Sequence, residues 1–123
     1  MEEQLQEKAV LVGLNITTNV KKIDDIDINE SMAELKELVK AAGAEVLASV
    51  IQNKPARDAA YFIGKGKVEE IRDYCHMLGA TMIVFNDELS GAHMRNIEDV
   101  TGLKVIDRTA LILDIFAQRA LSK

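Results

Sequence analysis

Ala9-Val10-Leu11-Val12-Gly13-Leu14 is an unbroken apolar run near the start of a 123-residue chain, bounded by Lys8 and Asn15. A strand with one wet face alternates polar and apolar residues. A run with no polar position suits a strand buried on both faces, as in a parallel sheet covered by helices on each side. The segments that follow agree. After a polar stretch from Asn15 to Asn29, Ser31-Met32-Ala33-Glu34 has the form of a capping box, in which each side chain satisfies the other residue's free backbone N–H. Met32, Leu35, Leu38, Val39 and Ala42 recur at three- and four-residue steps, the spacing of one helical face, and Gly43 supplies a left-handed stop. Ala44 to Ile51 reads as the second strand.

Asn53-Lys54-Pro55-Ala56-Arg57 breaks that strand. Tyr61-Phe62-Ile63 reads as a brief extended piece before Gly64-Lys65-Gly66-Lys67, and a helix follows with Val68, Ile71, Cys75 and Leu78 on its apolar side. Gly79 ends it. Thr81 to Phe85 is a third strand, Asn86-Asp87 a turn, and a helix from about Ser90 to Val100 stops at Gly102. Lys104-Val105-Ile106 is the last strand, and Thr109 is placed to cap a final helix. Strand and helix in alternation predict an α/β fold: an open, mainly parallel sheet of about four strands with helices on both faces, doubly wound and Rossmann-like.

Length and composition narrow the function. One domain fills residues 1–123, since domains cluster near roughly 100 to 150 residues. Hydrophobic residues make up 48% and charged residues 28%, which excludes intrinsic disorder. No apolar run reaches the roughly 20 residues of a membrane helix, and the acidic start is unlike a secretory signal, so a soluble cytoplasmic protein without membrane partners is expected. The lone Cys75 allows no internal disulfide, and His76 and His93 have no metal-ligand spacing, so no metal site is expected. A net charge of -5 argues against indiscriminate nucleic-acid binding, and aromatics at 4% are too few for a base-stacking sheet. RNA contact would then use backbone and local charge.

Binding sites in such folds lie outside the carboxyl ends of the strands, which directs attention to the loops there. Gly13-Leu14-Asn15 lacks the G-x-G-x-x-G pattern, so dinucleotide binding is not supported. Gly64-Lys65-Gly66-Lys67 is more suggestive: it joins glycines, lysines and a helix start whose N–H groups suit an anion. It is not a P-loop, because one residue separates the glycines and Val68 stands where a magnesium-binding hydroxyl is needed. Lys54, Arg57, Lys65 and Lys67 give this stretch a basic excess in an acidic chain. Asn53-Lys54 begins like the guanine-reading N-K-x-D motif, but Ala56 stands at the fourth position. Asp87 ends a strand as a receiver phosphoacceptor does, yet Leu14-Asn15 replaces the acidic pair that site requires. Asp87 and Glu88 are therefore read as acids at a helix start, stabilised by the macrodipole. The two histidines are assigned surface or packing roles and Cys75 a packing role.

Four blocks, taken together, carry a family resemblance. They are Tyr61-Phe62-Ile63-Gly64-Lys65-Gly66-Lys67-Val68-Glu69-Glu70; Phe85-Asn86-Asp87-Glu88-Leu89-Ser90; Arg95-Asn96; and Val105-Ile106-Asp107-Arg108-Thr109 through Ile112-Leu113-Asp114-Ile115-Phe116-Ala117-Gln118-Arg119-Ala120. In that order the chain resembles the N-terminal domain of the HflX GTPases over nearly its whole length, departing at Gly91-Ala92-His93, where many relatives carry Pro and Gln. The resemblance implies a long helical segment and a GTPase domain beyond this chain, which then reads as an isolated N-terminal piece without catalytic residues. GTP and magnesium would belong to that absent domain. It also implies attachment to the large ribosomal subunit and its RNA, in ribosome splitting or rescue. The alternative is a small-molecule or nucleotide-binding α/β domain without catalytic activity.

The expected RNA-contact residues are Lys54, Arg57, Gly64, Lys65, Gly66 and Lys67, with Arg95 and Asn96 as weaker candidates. In the final helix, expected over about 109–121, Leu111, Ile112, Leu113, Ile115, Phe116, Ala117 and Leu121 cover more than one face. The surplus face is expected to dock on the absent helical and GTPase domains, and in the isolated domain to form a homodimer through Leu111, Ile112, Ile115 and Phe116. Asp107 and Arg108 are expected to fix where that helix begins, the Asp at the positive end of its dipole.

Overall fold

The computed structural model describes residues 6–18 and 27–121, with side chains given up to Ile115. Strands β1 (Lys8–Ile16), β2 (Glu45–Lys54), β3 (Met82–Phe85) and β4 (Lys104–Asp107) alternate with helices α1 (Ile28–Ala41), α2 (Lys65–Leu78), α3 (Gly91–Thr101) and α4 (Arg108–Leu121). The four strands form one sheet in the order β2-β1-β3-β4, and every pairing is parallel. The apolar run Ala9-Val10-Leu11-Val12-Gly13-Leu14 lies at its centre: Ala9 to Val12 are fully buried, and Leu14 nearly so.

Burial on both faces follows from alternation within that run. Val10, Val12 and Leu14 join Val68, Ile71, Cys75, Ile83, Phe85, Ile97 and Val105 in a core beneath α2 and α3. Ala9 and Leu11 point the other way, toward Met32, Leu35, Val39, Met82, Val84 and Leu111 beneath α1 and α4. The result is the expected three-layer α/β architecture. Gly13 has a specific packing reason, because a Cβ built there would stand 2.7 Å from Met32 Sδ. Gly43, Gly79 and Gly102 all take positive φ, so each helix that was expected to stop at a glycine does so.

Three local expectations are corrected. Helix α1 begins before Ser31: Asp27 is its N-cap and accepts the amide of Asn29 at 2.8 Å, so Ser31-Met32-Ala33-Glu34 is not a capping box. Thr109 does not cap α4, because β4 runs directly into it and the carboxylate of Asp107 accepts the amide of Ala110 at 2.9 Å. Tyr61-Phe62-Ile63 is not extended. Phe62 has φ 68°, and its backbone exchanges two 3.0 Å hydrogen bonds with Asp58, closing a tight loop. The Asp58 side chain holds the same loop by accepting the amides of Ala60 and Tyr61.

Candidate functional site at the strand ends

In this strand order, the crossover through α1 leaves β1 toward β2, and the one through α2 returns to β3 on the other side of β1. The switch point therefore lies between β1 and β3, and their carboxyl ends open the crevice where such sheets bind ligands. Leu14 and Asn15 face it from β1, Asn86 and Asp87 from β3. Asn15 donates to Asn53 at 2.9 Å, joining the ends of β1 and β2. Asn86 is buried and sits in a network: its Nδ2 donates to Ser31 Oγ at 2.8 Å, and its Oδ1 accepts from Arg108 at 3.0 Å. Arg108 also reaches Glu34 at 3.7 Å. Ser31 thus tethers α1 to β3 and α4, a role that a capping motif does not signal.

Asp87 is the chemically unusual group. Burial raises its pKa above the ordinary carboxylate value, while a hydrogen bond from the Leu14 backbone and the charge of Arg57 pull it partly back. Its Oδ2 is buried without a hydrogen-bond partner among the described residues. Asp87 and Glu88, read as acids at a helix start, do stand just ahead of the Ser90 N-cap of α3, whose own first turn carries no acidic residue. Asp87 also lines a cleft of about 490 Å³ with Arg57, Phe62, Glu88, Leu89, Ser90 and His93.

The walls of this cleft are fixed by α3. Ser90 Oγ accepts the amide of His93 at 3.1 Å, and His93 Nδ1 lies 3.3 Å from the amide of Ser90, a reciprocal cap. With Nδ1 accepting, the ring proton belongs on Nε2, which lies 3.0 Å from the Ala59 carbonyl. Asn96 donates to the Ala60 carbonyl at 2.9 Å. Both side chains therefore hold the 58–62 loop against α3, which gives His93 more than a surface role. The left-handed Phe62 turns its ring under Arg57, whose guanidinium carbon lies 5.6 Å from the ring centroid, and packs edge-on against Phe85 and His93.

The basic residues read from the sequence divide among three places. Lys54 ends β2, half-buried, its Nζ 3.8 Å from where a Cβ on Gly64 would stand. Gly64 is the N-cap of α2, with no side chain capping that end, and its amide donates to Gln52 Oε1 at 2.9 Å. Lys65 and Gly66 are exposed in the first turn. Lys67 faces sideways along α2, paired with Glu70 at 2.8 Å. Arg57 belongs to the cleft rather than to this helix start, and Arg95 is exposed on α3. In α4, Leu111 is buried in the core, Ile115 packs against it, Ile112 is half-buried and Leu113 is 64% exposed. Phe116, Ala117 and Leu121 lie outside the described side chains.

An open parallel sheet with a strand-end crevice is the architecture of nucleotide- and ligand-binding α/β domains, and comparison with known proteins narrows the class. The family described as GTP-binding GTPase N-terminal matches residues 29–117, and the chain belongs to that family. It is 43% identical over 118 residues to a GTPase HflX of Caldanaerobacter subterraneus, a match covering 96% of this chain and 26% of that protein. A GTPase HflX of Lacrimispora saccharolytica is 44% identical over 98% of this chain and 27% of its own length. The Escherichia coli GTPase HflX is 42% identical over 93% and 25%. The chain thus spans about a quarter of the length of these relatives. An SsGBP variant structure superimposes with a TM-score of 0.68 at 21% identity, covering 96% of this chain and 34% of that one. A GTP-binding protein from Sulfolobus solfataricus in complex with GDP gives a TM-score of 0.62 at 21% identity, covering 91% and 30%. These two structures support the fold alone. Among the described residues, no helix is long and apolar enough to cross a membrane.

Proposed function

We propose that this domain is the N-terminal ribosome-contacting module of an HflX-type GTPase, acting with the large ribosomal subunit in the splitting or rescue of ribosomes. Family membership supports the reading, and the observation that carries it on this chain is the uncapped start of α2. There Lys65 is exposed and Lys54 stands beside Gly64, so cationic side chains and helix N–H groups converge at the carboxyl end of the sheet. Such a surface suits phosphate oxygens. Lys67 contributes less because Glu70 already neutralises it.

GTP and magnesium belong, in this reading, to another domain of the protein. The residues here do not fit them: the glycine segment lacks P-loop spacing, Ala56 spoils the guanine-reading motif, and no group of three or more His, Cys, Asp or Glu among the described residues could hold a metal ion. The domain is then a cytoplasmic attachment device, not a catalyst. Co-sedimentation with large ribosomal subunits across a salt titration is the test. Lys54→Glu with Lys65→Glu should lower binding and flatten its salt dependence, since each lost phosphate contact removes about one counterion-release step. Binding that is unchanged at every salt concentration would refute it.

A second reading, a small-molecule or nucleotide-binding domain, is favoured by one observation: the polar cleft lined by Asp87, whose Oδ2 is buried with no hydrogen-bond partner among the described residues.

A further inference from the structure

The Asp87 cleft differs in chemistry from the basic start of α2, and we infer that it takes a planar nucleobase-type ring through a ring N–H flanked by a carbonyl, as in uracil or guanine. The inference rests on the second reading above, that the cleft binds a ligand, and adds which atoms do so.

Three observations lead there. First, the cleft does not suit an anion. Three of the N–H groups at the entry to α3 are already occupied: the amide of Leu89 by Asp107 at 2.8 Å, that of Ser90 by His93 and that of His93 by Ser90. Two carboxylates, Asp87 and Glu88, line the walls against one guanidinium. Second, the unmet demand is for a donor. Asp87 takes the Leu14 amide, while its Oδ2 is buried with nothing donating to it among the described residues. An ionised carboxylate only accepts, so the missing group must carry N–H or O–H. Leaving such an atom buried and unpaired is costly, and an atom of this kind calls for a partner.

Third, a donor-only ligand would meet Arg57, which lines the same cleft and whose charge acts on Asp87. A cationic ligand is therefore disfavoured. A neutral group that donates to Asp87 and accepts from Arg57 side by side satisfies both. A ring N–H adjoining a carbonyl has that arrangement; the carbonyl is a good acceptor for guanidinium N–H. The rings of Phe62 and His93 line the same cleft, and a base ring packs on aromatic side chains. The volume, about 490 Å³, falls within the roughly 300 to 1,000 Å³ common for ligand pockets. Free nucleosides and unstacked nucleotides of RNA carry this same edge, and the test separates them.

Amide NMR spectra of the domain are recorded during titration with uridine, guanosine and 3-methyluridine, and with short single-stranded oligouridylate. Uridine or guanosine should shift Leu14, Phe62 and residues 87–93, whereas 3-methyluridine, which lacks the ring N–H, should not. Asp87→Asn and Arg57→Gln should each weaken the response at least tenfold, with melting curves confirming that both variants fold. Oligouridylate binding at much lower concentration than uridine would assign the edge to RNA, and equal or weaker binding would assign it to the free nucleoside. Equal shifts with 3-methyluridine, or an undiminished response in Asp87→Asn, would overturn the inference while leaving the cleft a ligand site. No shift near Asp87 with millimolar nucleoside or with RNA would overturn both.

Discussion

The carboxylate of Asp107 accepts the backbone N–H of Leu89 at 2.8 Å and, through its other oxygen, the N–H of Ala110 at 2.9 Å. One side chain at the end of β4 therefore fixes both the loop leading to α3 and the first turn of α4. Asp107 is 4% exposed, so water does not replace a lost acceptor. Asp107→Asn retains one acceptor oxygen and turns the other into a donor facing an N–H. Equilibrium urea unfolding should show a loss of about 1–3 kcal/mol, the cost of an unsatisfied buried group. A change within about 0.5 kcal/mol, the usual range for a surface position, would contradict this role.

Asp87 carries the opposite sign. Its folded-state pKa is raised because burial disfavours the charge, so its stabilising contribution is fully present below the unfolded value near 3.8 and is lost as pH rises through the folded value. At neutral pH the native state holds a carboxylate oxygen with no partner among the described residues. Asparagine can still accept the Leu14 amide without a buried charge. Asp87→Asn should therefore melt a few degrees above the unsubstituted domain at pH 7, with the gap closing as the pH falls toward 4. A variant that melts lower at pH 7 would show that Asp87 has a partner here.

These two aspartates show what the sequence disclosed. Strand and helix order, the three glycine stops and the double-sided burial of β1 were legible because they follow from local periodicity and from backbone demands only glycine meets cheaply. Asp107 was correctly placed at the start of α4, although Thr109 appeared to be the cap. The cleft was not legible. It depends on Phe62 turning left-handed, on His93 and Asn96 reaching back to the carbonyls of Ala59 and Ala60, and on Asp87 standing over Leu14. These are contacts between residues up to 73 positions apart, and no short pattern encodes them. A sequence signal existed only in retrospect: an Asp at the end of a central strand with no acidic partner opposite.

Gly13 tests the spacing between β1 and α1. A Cβ there would come within 2.7 Å of Met32 Sδ, and Met32 is buried at 4% exposure. Gly13→Ala should cost about 1–3 kcal/mol through overpacking. Because the clash is with one side chain, combining it with Met32→Ala should cost less than the sum of the two single variants in urea unfolding. Strict additivity would mean that the backbone, not Met32, takes up the strain.

Cys75 is fully buried, and burial pushes its thiol pKa up to about 11. At neutral pH the thiolate that reacts with alkylating agents is nearly absent. Mass spectrometry should find the native domain unmodified by iodoacetamide over a period that fully labels it in denaturant. Rapid native labelling would place Cys75 on an opening segment of α2.

Helix α4 divides its apolar residues between core and solvent. Leu111 is 2% exposed within the core and Ile115 packs on the same cluster, whereas Leu113 on the other side of the helix is 64% exposed. Of the four residues expected to drive self-association, Leu111 is thus already committed to the fold. Leu113 and the half-buried Ile112 remain to offer apolar surface. Exposed apolar surface on a helix seeks a cover. The isolated domain should show concentration-dependent self-association by light scattering. Leu113→Glu should abolish it without lowering the melting temperature, because this side chain makes little contact with the core. Leu111→Ala, in contrast, should destabilise the fold by about 2–5 kcal/mol, as truncation of a buried leucine does. Strictly monomeric behaviour of the unsubstituted domain, or association untouched by Leu113→Glu, would show that this face of α4 is not the contact.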